Sequence, residues 1–126
     1  MPALISSVEL SPEQQLLFGL GYCVFMLLLF LIFKAFPPKK INALYGYRTQ
    51  RSMANQNVWE VANTFSMQVM IKVSLWSFGF PVVFYFLIPE FNVLGVCIGN
   101  TLLILYSVLL TERHLNRHFD KKGNPK

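Results

Sequence analysis

Three apolar runs dominate the chain, and its polar positions fall between and after them. Leu16 to Phe33 (LLFGLGYCVFMLLLFLIF) is uncharged throughout, and extended past Lys34 to Phe36 it gives about 31 Å of helix, which spans a bilayer. Val73 to Ile88 (VSLWSFGFPVVFYFLI) supplies only about 24 Å, so its helix must begin earlier, near Phe65 or Met67, which places Lys72 inside the span. Phe91 to Leu110 (FNVLGVCIGNTLLILYSVLL) supplies about 30 Å and matches the hydrocarbon core directly. The pattern predicts an all-α integral membrane protein with three transmembrane helices, at about 15–36, 65–88 and 91–112. A loop over 37–64 joins the first two, and a tail over 113–126 follows the third.

Composition agrees. Of 126 residues 54% are hydrophobic and 13% charged, too apolar a balance for an ordinary soluble domain. The first run is not read as a cleaved leader, because residues 1–15 carry Glu9 and Glu13 but no Lys or Arg. The net charge of +5 does not point to nucleic acid either, since the basic residues do not spread over one soluble face. Five of them (Lys34, Lys39, Lys40, Arg48, Arg51) lie at or after the end of the first run, and five (Arg113, Arg117, Lys121, Lys122, Lys126) follow the third. None precedes the first run or falls in the Pro89–Glu90 turn. The positive-inside rule therefore predicts the loop and C-terminus in the cytoplasm and the N-terminus outside. Lys72, the eleventh, can snorkel back to the loop side, the alternative being a functional intramembrane cation.

Lipid gives helices no hydrophobic reason to associate, so small and polar residues must supply the contacts. Gly95 and Gly99 have the small-residue spacing, either to meet Gly19 and Gly21 of the first helix or to form a homodimer face. Pro81 leaves the Ser77 carbonyl without its helical donor. Asn100 is at the depth to bond that carbonyl, the alternatives being a bond within its own helix or to a partner chain. Cys23 and Cys97 fall inside spans and are read as small apolar packing residues rather than a disulfide.

The segment from Ile41 to Asn63 (INALYGYRTQRSMANQNVWEVAN) reads differently, as an ordered loop. Pro37 and Pro38 end the first helix, and Lys39 and Lys40 reach the headgroups. Tyr45, Tyr47 and Trp59 suit an interface, and Gly46 between the tyrosines suggests a turn. Asn57 with Glu60 fits a capping box, with Ser52 as an earlier alternative. On the helix so opened Trp59, Asn63, Ser66 and Met70 share a face. Arg48 and Arg51 can grip lipid phosphates, bond helix ends or bind an anionic partner.

The order Asn42, Tyr45-Gly46-Tyr47-Arg48-Thr49, Arg51-Ser52, Trp59 and Asn63 resembles the signature of the SdpI family of bacterial integral-membrane proteins, which lies between two transmembrane helices and at the start of the second. The resemblance implies a single three-helix family domain over 1–126 in the bacterial inner membrane; larger members carry more spans. It also implies a function in immunity to a secreted peptide toxin, or in signalling by holding a transcriptional repressor at the membrane. The motif residues would then form the binding surface.

Nothing suggests catalysis. The six acids (Glu9, Glu13, Glu60, Glu90, Glu112, Asp120) make no close pair on one helix face, and nucleophile elbow, phosphate loop and Cys-x-x-Cys are absent. His114 and His118 have a chelating spacing but no third ligand, so neither metal nor cofactor is expected. Three readings follow: a non-enzymatic immunity or signalling protein working through its loop, an accessory or scaffold subunit of a larger membrane complex, and an enzyme acting on lipid headgroups through Tyr45, Arg48 and Glu60. The lipid bilayer is the expected partner of all three, and a homo-oligomer is compatible with each.

Overall fold

A computed structural model describes residues 10–126; Glu9 lies outside the described residues, with the rest of 1–9. Helix α1 (Pro12–Ala35) opens on Ser11, whose hydroxyl accepts the Gln14 amide at 3.2 Å while Gln14 Oε1 accepts the Ser11 amide at 2.9 Å. That reciprocal cap starts the helix four residues before Leu16, and Pro12 at its first position gives up no helical bond. The second span is α2 (Gln56–Ser77) followed by α3 (Gly79–Leu87), with the helix interrupted at Phe78 three residues before Pro81. A 3₁₀ turn (Pro89–Phe91) leads into α4 (Asn92–His118), which continues six residues beyond the expected boundary. The protein is all-helical, and its three spans are long and apolar enough to cross a membrane.

The helices turn their apolar surfaces outward. No more than 22% of any span is buried within the bundle, and Leu17, Phe18, Phe25, Trp76, Phe86, Leu102 and Leu105 all face out. The bundle interior of α2 and α4 instead draws on buried polar residues, Asn63, Ser66, Ser74 and Ser77 on α2 and Asn100, Ser107 and Thr111 on α4. Its hydroxyls are satisfied locally: Ser74 donates to the Met70 carbonyl at 2.7 Å, Ser77 to Ser74 at 2.6 Å, Ser107 to Ile104 at 2.6 Å and Thr111 to Ser107 at 2.8 Å. Each is a small side chain that needs nothing from the neighbouring helix, so the backbones can approach closely in lipid.

The glycines meet partners other than those expected. A Cβ on Gly95 would lie 2.8 Å from the Phe84 ring, and one on Gly99 would lie 2.8 Å from the Phe80 ring. Two α3 aromatics one turn apart thus fill the two notches of α4, and α1 does not occupy them. Gly19 instead faces Pro81 and Val96, at 3.1 and 3.3 Å from an added Cβ, and Gly21 faces nothing within 4 Å.

The bond expected from Asn100 to the Ser77 carbonyl is also replaced. Cys23, fully buried on α1, donates its thiol to that carbonyl at 3.5 Å, and Asn100 Nδ2 approaches the sulfur from behind at 3.9 Å. Pro81 packs on α1 at Gly19, 3.1 Å from an added Cβ there, and Cys23 is a polar bridge as well as a packing residue. Asn92 serves the other side of the kink, donating to the Pro81 carbonyl at 2.8 Å. At the end of the bundle away from the loop, Gln15 donates to the Glu90 carbonyl and accepts the Val93 amide, fastening α1 to the α3–α4 turn.

A thiol–carbonyl bond predicts a graded response. Cys23→Ala should destabilise the bundle by about 1–2 kcal/mol, combining a lost interhelical bond with a small void, while Cys23→Ser keeps a donor and should stay within about 0.6 kcal/mol of wild type. Unfolding in detergent measures both, and equal losses for Ala and Ser would contradict the bond.

Candidate functional site

Residues 36–55 fold into a compact cap over the basic end of the bundle, with few regular elements and many specified bonds. The connection begins with Pro38, whose carbonyl accepts Trp59 Nε1 at 2.6 Å and which is buried against the first turn of α2. Asn42 forms an Asx turn, its Oδ1 accepting the Leu44 and Tyr45 amides at 2.9 Å each. Tyr45 reaches back to the Phe36 carbonyl at 3.3 Å and tilts against Phe33.

Gly46 follows with φ +110°, a conformation that L side chains rarely adopt, and an added Cβ would stand 2.7 Å from both Asn63 Oδ1 and the Pro38 ring. Only glycine fits there. The close approach lets Asn63 hold the next residue: its Oδ1 accepts the Tyr47 amide at 2.6 Å, and its Nδ2 donates to the Trp59 carbonyl at 3.0 Å. Ser52 completes the turn, donating to the Tyr47 carbonyl at 2.9 Å and accepting the Thr49 amide at 2.7 Å, while its own amide bonds Thr49 Oγ1. Ser52 is therefore a loop staple. The helix cap is Asn55, which accepts the Val58 amide at 3.0 Å, two residues before the expected Asn57.

Below the cap, Tyr47, Val58, Ala62, Leu115 and Phe119 form an apolar cluster. The Tyr47 phenol crosses it to donate to Glu112 at 2.7 Å. Burial first, and then the Glu112 carboxylate, push that phenol well above the usual tyrosine range, so it remains a donor at neutral pH. The tail closes the cap from the far side. Arg51 donates to the Phe119 carbonyl at 3.1 Å, and Asn55 Nδ2 donates to Gly123 at 2.9 Å. Asp120 accepts the Lys122 and Asn124 amides, and these backbone donors hold its carboxyl below the ordinary value.

Nine of the ten motif residues thus act on the fold itself: Asn42, Tyr45, Gly46, Tyr47, Thr49, Arg51, Ser52, Trp59 and Asn63. Arg48 differs. It is exposed, holds no hydrogen bond among the described residues, and stands at the rim of a cavity of about 250 Å³ walled by Phe30, Phe33, Met67, Met70 and Val108. Gly95, Gly99, Asn100 and Pro81 belong to the helix seams and are not brought to this site. Glu112, Gln56 and the Pro38 carbonyl are participants that the sequence reading missed; a lone acid at the head of a basic tail was the available signal for Glu112. His114 stacks on Phe65 with centroids 4.0 Å apart, and among the described residues no three His, Cys, Asp or Glu gather as a metal site.

The cap predicts its own weak point. Asn63→Ala leaves the Tyr47 amide buried and unpaired, a loss of about 1–3 kcal/mol, so the loop should open about 5- to 150-fold more often. Trypsin cleavage at Lys39, Lys40, Arg48 and Arg51 reads this opening, and an unchanged cleavage rate would contradict the clamp.

Comparison with known proteins agrees with the motif. The family model described as the SdpI/YfhL protein family matches residues 39–111, from the loop through the second span and most of α4. A curated relative, the uncharacterized protein YfhL of Bacillus subtilis (strain 168), is 38% identical over 85 residues, covering 68% of this chain and 64% of its own length. The chain therefore spans somewhat less than two thirds of that relative. No solved structure matches. With the family model covering more than half of the chain and the motif built into its cap, the protein belongs to the SdpI/YfhL family.

Proposed function

We propose that the chain is a non-enzymatic bacterial inner-membrane protein of the immunity or signalling type, whose cap faces the cytoplasm and recognises its partner through Arg48. The observation that carries this reading is the division of labour in the motif: nine residues fix the cap, and the tenth presents an uncommitted guanidinium above an apolar cavity. A planar fork of donors suits a carboxylate or a pair of carbonyls, and the cavity below accepts an apolar side chain. A peptide toxin or a cytoplasmic repressor offers both. The ten basic residues that flank the spans on one side support the cytoplasmic placement.

Arg48→Lys separates recognition from topology because it keeps the charge and removes the fork. The variant should insert and express normally, with a reporter after Lys126 reading as cytoplasmic and a trypsin pattern unchanged, since trypsin cleaves after either residue. Partner affinity should fall about 10- to 100-fold, the scale of a lost charge-assisted bond, and the deletion phenotype should reappear, with peptide-toxin sensitivity assayed first. Full complementation by Arg48→Lys would reject Arg48 as the recognition residue.

A further inference from the structure

A second cleft, sharing only Met67 with the Arg48 cavity, opens where α1 leaves the apolar zone. Its volume is about 450 Å³, within the range of ordinary ligand sites. Lys34 comes from the last turn of α1, Lys39 from the connection, and Glu60, Thr64 and Gln68 from the first turns of α2, with Pro38, Asn63 and Met67 forming a buried floor. The cleft is preformed. Trp59 fixes the Pro38 carbonyl, and Gln56 Nε2 bonds both the Lys39 carbonyl and Glu60 Oε1, which sets the acid and the base in one frame.

Its charges are arranged for a ligand bearing both signs. Lys34 and Lys39 have no ion-pair partner among the described residues, although Glu60 lines the same cleft. The three charged heads are exposed and sit at the rim of the apolar exterior formed by Leu31, Ile32 and Phe36. A soluble anion would satisfy the lysines and leave Glu60 facing it. A molecule with a phosphate, an adjacent ammonium and an apolar tail satisfies all three groups and the location as well.

We propose that this cleft binds the headgroup of a primary-amine phospholipid of the phosphatidylethanolamine class. The phosphate lies between Lys34 and Lys39, the ammonium donates to Glu60 and to the Gln68 side-chain oxygen, and the acyl chains leave past Met67 and Pro37. Choline cannot make the Glu60 bond, because its quaternary nitrogen has no N–H. A glycerol headgroup brings no cation to Glu60. Lysines that merely snorkel would show the opposite preference, favouring the lipid with the greater negative charge.

Native mass spectrometry of the detergent-solubilised protein, supplied with phosphatidylethanolamine, phosphatidylcholine or phosphatidylglycerol, tests the assignment. Phosphatidylethanolamine should be retained about 10-fold over phosphatidylcholine, the scale of one hydrogen bond to a charged group. Glu60→Gln should reduce that preference without weakening phosphatidylglycerol, and Lys34→Gln with Lys39→Gln should weaken all three lipids, since each carries a phosphate. Because all three side chains are exposed, an unchanged tryptic pattern of the loop, apart from the lost Lys39 site, verifies that each variant remains folded. Equal retention of the ethanolamine and choline lipids would overturn the proposal, as would an ethanolamine preference left undiminished by Glu60→Gln. Displacement of the lipid by soluble glycerophosphoethanolamine at equal concentration would also overturn it, because the free headgroup would then be the ligand.

Discussion

The side-chain amide of Asn63 holds the Tyr47 backbone, and the basic end of the protein depends on that contact. One helical residue satisfies the buried amide of Tyr47 and, through its other end, the carbonyl of Trp59. With Tyr47 placed, its ring covers Val58, Ala62 and Leu115, its phenol reaches Glu112 on α4, and its carbonyl anchors the Ser52 turn. Arg48 is then directed outward by the backbone on either side of it. The positive φ of Gly46 belongs to the same contact, since any side chain there would push Asn63 and Pro38 apart.

Two environments impose two kinds of packing on one chain. Within the spans, lipid is as apolar as leucine, and the helices carry serines bonded to carbonyls of their own helix, glycine notches filled by Phe80 and Phe84, and the Cys23 thiol at the helix break. At the cap, water is near, and burying Tyr47, Leu115 and Phe119 regains its usual advantage. The tail therefore docks as in a soluble domain, through Arg51, Asn55 and an apolar cluster, and not by the small-residue contacts that serve the spans.

The three apolar runs were readable because a bilayer demands about 20 consecutive apolar residues, a signal with few alternatives. The loop's order was readable from its density of Asn, Tyr and Trp beyond what a topology signal requires. Partner choice was not readable. Gly95 and Gly99 state that something comes close, but not that Phe84 and Phe80, from the segment after the helix break, are what fills them. Asn57, with Glu60 three residues on, is the better cap by local chemistry, yet Asn55 caps the helix, and its side-chain Nδ2 also donates to the carbonyl of Gly123, 68 residues away. Cys23 looked apolar because its donor matters only beside a carbonyl that a distant proline has freed. Gln15 fell just before an apolar run, and its role appears only once the α3–α4 turn folds back over it.

Residues 36–55 form an ordered cap held from α2 and the tail, with Arg48 exposed at its outer surface and, among the described residues, without a hydrogen bond. Residue-resolved amide hydrogen exchange of the protein in lipid nanodiscs tests it most directly. The Tyr47, Thr49 and Ser52 amides should exchange as slowly as those in the first turns of α2, because each has a side-chain partner in the cap or on α2. Exchange of those three amides at the rate of an unstructured chain would contradict it.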